Sequence, residues 1–207
     1  MIEFDVEKYD TILARGLSHG LGEAGGQVCI EAAICEVLGL GHSDDPKCVS
    51  AAVRRFKISL NDSNWSSPEA RAKGLRELGI AQLGSLGIVY DIDFSKRISE
   101  KIIRVLIPKL FSELFPENQD CLEAAKRCEY EGSEGAARAA YAAADAARAA
   151  ADAARAAADA ARAAYAAARA AADSAAADSD SYLRLAADLA LEVLRELKSP
   201  GCELLGV

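Results

Sequence analysis

The sequence predicts an all-α fold, and three observations carry that prediction. Every long segment with regular hydrophobic spacing repeats at i, i+3 and i+4, the helical period. Residues 136–177 hold 30 alanines in 42 residues, with neither Gly nor Pro. Clusters of Asp, Ser, Pro and Gly, the residues that cap and break helices, separate the periodic segments. The layout this gives is an N-terminal helical globular domain, residues 1–130, followed by residues 131–207. There a long alanine-rich helix precedes a C-terminal amphipathic helix that packs back as a hairpin or into an oligomer.

Residues 4–17 form the first helix of this scheme, with Val6, Tyr9, Ile12 and Leu13 on one face. A glycine-rich loop, Gly16 to Gly26, separates it from a second helix at 27–38 that turns Ile30 and Ile34 inward. Asp45-Pro46 has the N-cap and first-turn spacing of a third helix striped by Val49, Val53 and Phe56. A polar loop with the single tryptophan, Trp65, follows. Ser66 and Glu69 have capping-box spacing around Pro68 and predict a fourth helix over 68–78. Three glycines mark 79–90 as loop, with a short extended piece at Gly87–Tyr90. Asp93 caps a fifth helix, 94–114, which Pro108 should kink or divide. A short helix over 119–130 carries Cys121, Leu122 and Cys128. The cluster Asp178-Ser179-Asp180-Ser181 marks a turn or a restart before the last helix, 182–198, whose apolar face is Leu185, Leu189, Val193 and Leu197.

The alanine stretch should be helical, because alanine has the highest helix propensity. Its charges repeat by seven. Asp145, Asp152, Asp159 and Asp173 share one heptad position, and Arg148, Arg155, Arg162 and Arg169 another. These three- and four-residue spacings put opposite charges side by side on one wet face. The alanine faces that remain allow close helix approach, with Tyr141 and Tyr165 as larger anchors. They predict a hairpin or a homo-oligomer, the alternative being an exposed spacer. With no threonine, the stretch lacks the flat row of hydroxyls that an ice-binding helix needs.

Charge and composition exclude several function classes. A net charge of −8 opposes a nucleic-acid backbone. No apolar run has the length of a membrane span, and MIEFDVEKYD has no secretory pattern. A soluble cytoplasmic protein is expected, with its six cysteines as free thiols.

Candidate chemistry concentrates between residues 16 and 76. Gly20-x-Gly22-x-x-Gly25-Gly26 precedes a helix N-terminus, where backbone N–H groups and the helix dipole suit an anion. No strand precedes this loop, so it lacks the context of a dinucleotide fingerprint, and a plain connector is the alternative. Residues 50–80 carry six cations against three carboxylates. Arginine for phosphate and an aromatic for a base make a nucleotide-sized site conceivable there, against a solvated basic face. The predicted ligand-binding set is Gly22, Gly25, Gly26, Gln27, Arg54, Arg55, Lys57, Asn61, Trp65 and Arg71. His19, His42, Cys29, Cys35, Cys48, Asp44 and Asp45 fall close together in sequence, but their spacing matches no zinc pattern. No metal, cofactor or catalytic residue is predicted. The leading expectation is a non-enzymatic, oligomeric binding protein for an anionic small molecule such as a nucleotide. A protein-interaction or structural module using the alanine helix is the second. An enzyme acting on a phosphorylated compound, with Glu31 or a histidine as acid–base group, is the third.

The run CIEAAICEVLGL, then DDPKCVSAAVRRFKISLNDSNWSSPEARAKGLRELGIAQLGS, the Ala/Asp/Arg/Tyr tract and LAADLALEVLRELKSPGCELL together resemble uncharacterised alanine-rich proteins of bacterial and phage genomes. The tract by itself also resembles alanine-rich immunity proteins. The resemblance transfers no site residues. A phage setting implies a role against host defence, including sequestration of a nucleotide signal.

Overall fold

A computed structural model describes residues 3–158 and 164–205, and side-chain surroundings outside 147–179. The described residues are all-helical, with nine α-helices and no strand. They fall into two compact units, Met1–Ile98 with Ala176–Val207, and Ser99–Ala175. This grouping cuts the chain at different places from the 1–130 and 131–207 division read from the sequence.

In the first unit, α1 (Val6–Leu13) starts after Asp5, whose carboxylate accepts the Lys8 N–H at 2.9 Å. It is shorter than the predicted 4–17. α2 (Ile30–Val37) starts three residues after its predicted origin, because Cys29 Sγ rather than the glycine loop accepts the Ala32 N–H. α3 (Ala51–Asn61) also starts late. Asp45-Pro46 does not cap it: Asp44 turns its carboxylate to Arg54, and Asp45 turns its own to Lys47. The start of α3 is held from a distance by Asp91, which accepts from Ser50 Oγ at 2.6 Å and from the Ala52 N–H at 3.1 Å.

α4 (Pro68–Ala81) is capped by Ser67, not Ser66, and it runs three residues past its predicted end. Gly79 lies inside it. A Cβ there would stand 2.0 Å from Tyr9 Oη, so this glycine admits a buried tyrosine rather than ending a helix. The expected extended piece at Gly87–Tyr90 is a turn, in which the Val89 N–H donates to Ser85 O at 2.8 Å. α1, α2, α3 and α4 pack on one another around Tyr9, Leu17, Ile30, Ile34, Leu75 and Leu78.

α5 (Asp91–Lys101), a π-helical turn at Ile102–Leu106, and α6 (Ile107–Leu114) follow without a break. Pro108 neither divides nor ends the helix. It has no N–H for the Arg104 carbonyl, and its ring would press on that carbonyl; the wider π turn takes up the conflict. α7 (Gln119–Glu131) is capped by Asn118 and ends on Gly132 in the left-handed region. The core of the second unit joins Ile107 and Phe111 of α6 and Cys121, Ala124, Ala125 and Cys128 of α7 to Ala136, Ala137, Ala140 and Ala144 of α8 (Glu134–Ala158).

α9 (Ala164–Glu196) runs through Asp178–Ser181, so the expected turn or restart there is overturned. The Asp180 carboxylate accepts from the backbone N–H and the hydroxyl of Ser66, so it serves a neighbouring segment and caps nothing of its own helix. Leu189, Val193 and Leu194 of α9 are buried in the first unit. A 3-10 turn, Pro200–Leu205, closes the described chain. Ser199 Oγ donates to Ala81 O at 2.6 Å, and the Gly201 N–H to Leu83 O at 2.7 Å. Whether the alanine helix doubles back, and how Asp159 and Arg162 are set, falls on residues 159–163, outside the described residues. The side chains of the Arg148–Asp173 charge stripe, with Tyr165, likewise lie outside the described side chains.

Candidate ligand-binding site

The glycine loop and the basic helices meet in space, through hydrogen bonds that engage several of the predicted site residues. Asn61, at the end of α3, accepts the Ile30 N–H at 3.2 Å and donates to Ser18 O at 3.0 Å. Its amide therefore occupies a donor of the α2 N-terminus that an anion would need. Arg71 is buried on α4; its Nη1 donates to Leu17 O at 2.6 Å. Arg54 clamps Asp44 through the backbone carbonyl at 2.6 Å and the carboxylate at 2.8 Å. Arg55 is exposed on α3.

Trp65 is buried and hydrogen-bonds Leu60 O through Nε1 at 2.8 Å. Its ring lies so close to Gly74 that a Cβ there would come within 2.4 Å. The indole is buried, not offered to a base. Gln27 donates to Arg15 O at 2.8 Å; Gly22 bridges to Val28, and the Gly26 N–H turns back to Glu23 O at 3.0 Å. Gly25 is exposed at the tip of this turn.

Beneath the loop lies the most polar part of the core. Lys57 Nζ stands 3.2 Å from Glu31 Oε2, with both side chains fully buried. Gln82 Nε2 donates to the same oxygen at 2.8 Å. Burial pushes the Glu31 carboxyl up and the Lys57 ammonium down, each opposed by the attraction of the other. The cavity beside Glu31 and Asn61 measures about 30 Å³, room for one water and far below the roughly 300–1,000 Å³ of small-molecule sites. His42 points to Gly22 O at 3.2 Å, and His19 is exposed. Among the described residues no group of three or more His, Cys, Asp or Glu side chains is placed to hold a metal ion.

A groove of ligand size lies in the second unit, where the sequence predicts no site residue. It runs between the π turn with α6 on one side and α7 on the other, and measures about 490 Å³. Val105, Pro108, Leu122 and Ala125 make its apolar floor; Arg104, Lys109, Lys126 and Glu129 supply its charge. Arg104 is committed to structure. Its guanidinium donates to the carbonyls of Glu129, Tyr130 and Glu131 at 2.7–3.0 Å, closing the C-terminus of α7, where a cation also meets the helix dipole. Lys109 and Lys126 are exposed, and no ion pair or side-chain hydrogen bond among the described residues engages either ammonium. The one sequence signal for this groove was Pro108, inside an otherwise apolar helical stripe.

No family model matches the chain, and neither a curated protein nor a solved structure does. Among the described residues, no helix is long and apolar enough to cross a membrane.

Proposed function

We propose that this chain is a non-enzymatic binding protein for an anionic small molecule with an apolar body, held in the α6–α7 groove. One observation carries the proposal: two exposed ammonium groups, Lys109 and Lys126, which no ion pair engages among the described residues, border an apolar floor in a groove of ligand size. The ammoniums take a phosphate or carboxylate, and Val105, Pro108 and Leu122 take a base, ring or short alkyl chain. A nucleotide has this chemistry, so sequestering a nucleotide signal is one role that fits. The glycine loop contributes structure instead, since its own chain occupies the donors an anion would use. Glu31, the acid–base candidate of the enzyme alternative, is enclosed in the core with Lys57 and Gln82.

The test is calorimetric titration of the full chain with cyclic and linear nucleotides, laurate and inorganic phosphate. Saturable binding of a nucleotide or of laurate is expected, with little affinity for phosphate alone. Removing both ammoniums by Lys109→Ala/Lys126→Ala should weaken it by roughly tenfold or more. Recovery of the ligand unchanged, by mass spectrometry, separates binding from turnover. Saturable binding that the double variant leaves unaltered places the ligand elsewhere and overturns the assignment.

A further inference from the structure

We propose that the apolar ridge from Leu86 to Ile92 is a two-fold interface with a second copy of this chain. This goes beyond the ligand site and does not depend on it. The ridge joins α4 to α5 and is pinned along its length. The Leu86 N–H donates to Cys48 O at 3.0 Å and the Val89 N–H to Ser85 O at 2.8 Å. Val89 is buried, and Ser50 Oγ together with the Ala52 N–H fixes the Asp91 carboxylate. A segment held this way cannot turn its remaining side chains inward by a small adjustment. What it holds outward is apolar: Leu86 is 60% exposed, Ile88 51%, Tyr90 70% and Ile92 81%. Leu86, Tyr90 and Ile92 also line a groove of about 390 Å³ with Ala51 and Val89.

The area identifies the occupant. Four such side chains present on the order of 500 Å² of apolar surface, near the upper end of what a lone monomer carries in one patch. Two copies facing each other remove on the order of 1,000 Å², the point at which a specific interface begins. Three of the four ridge side chains also wall that groove, so a two-fold axis brings the same apolar patch of each copy together, as an isologous contact requires. The flank carries both signs, with Asp93 and Lys96 exposed on α5, and the Asp91 carboxylate in the groove accepts from Ser50 Oγ and the Ala52 N–H.

Sedimentation equilibrium of the full chain, from low to high micromolar concentration, tests the proposal. A dimer is expected for the wild type. Ile92→Asp and Leu86→Asp should each raise the dimer dissociation constant by roughly tenfold or more, since each buries a charge in the contact. Circular dichroism should show unchanged helix content, because both side chains are exposed. Lys109→Ala/Lys126→Ala should leave the dimer intact, and Ile92→Asp should leave ligand binding intact, so this proposal and the ligand site fail separately. A wild type that stays monomeric overturns the interface, even if its ridge captures a different protein. A dimer that survives both ridge variants also overturns it and moves the association to another surface, such as the alanine tract.

Discussion

Lys57 shows how differently a cation behaves in sequence and in place. In the sequence it belongs to a basic run with Arg54 and Arg55; in the structure it is fully buried against Glu31. Removing one member of such a pair leaves the other charge buried without compensation, so Lys57→Met should cost about 3–5 kcal/mol. Lys57→Met/Glu31→Leu should recover part of that loss, because an apolar pair needs no desolvation of charge but leaves the buried Gln82 amide without its acceptor. The single variant also acquires a pH signature. The folded Glu31 carboxyl sits above its ordinary value through desolvation, and losing Lys57 raises it further. A group raised on folding contributes stability that is fully present below its unfolded value of about 4.3 and is lost as pH rises through the folded value. The deficit of Lys57→Met against wild type should therefore be smaller at pH 5 than at pH 8, measured by urea unfolding at each pH. An equal deficit at both would mean that losing Lys57 leaves the proton occupancy of folded Glu31 unchanged between pH 5 and pH 8.

At the level of elements, existence and type were legible and several ends were not. The apolar stripes of α2, α3 and α5 give their helices directly, since a half-buried helix must repeat hydrophobic residues at its own period. The ends failed where a residue with a strong local meaning is used elsewhere. Asp45 looks like a cap and pairs with Lys47; Ser66 looks like a cap and gives its hydroxyl to Asp180; Gly79 looks like a stop and is a notch for Tyr9. Of the candidate site, the contact between glycine loop and basic helices is real, but sequence could not show that Asn61 and Arg71 spend their polar atoms on Ile30, Ser18 and Leu17. The π turn was half legible, since Pro108 demands some adjustment but does not specify a widened turn. The same logic makes Asp180 testable. Its buried carboxylate answers both polar groups of Ser66, so Asp180→Ala should destabilise by about 1–3 kcal/mol by leaving the Ser66 N–H unsatisfied. Asp180→Asn keeps an acceptor and should lose less. A thermal-melt comparison of the two variants decides whether Asp180 holds α9 or merely lies beside Ser66.

Across the whole molecule, the two units have cores of different composition, and that difference should be visible in solution. The first unit buries Tyr9, Leu17, Ile30, Ile34, Leu75, Leu78 and Phe94. Among the described side chains of the second unit, six of the ten buried residues that cluster together are alanines: Ala124, Ala125, Ala136, Ala137, Ala140 and Ala144. Burial stabilises by about 25 cal/mol per Å² of apolar surface, so a methyl contributes far less than a leucine or an aromatic ring. On its described side chains the second unit therefore has the weaker core, even though alanine supplies the best intrinsic helix propensity. The cysteines report on each unit separately, Cys29 and Cys35 in the first and Cys121 and Cys128 in the second, all four buried. Burial raises all four thiols, Cys35 to about 11, so in the native protein they are protonated as well as enclosed. Pulsed alkylation along a urea series, read by peptide mass spectrometry, should find Cys121 and Cys128 reacting at lower urea than Cys29 and Cys35. Cys48 and Cys202, which are only half-buried, should react before either pair. If all four buried thiols emerge at one urea concentration, the chain unfolds as a single cooperative body, and alanine packing in α7 and α8 is as strong as the aromatic core of the first unit.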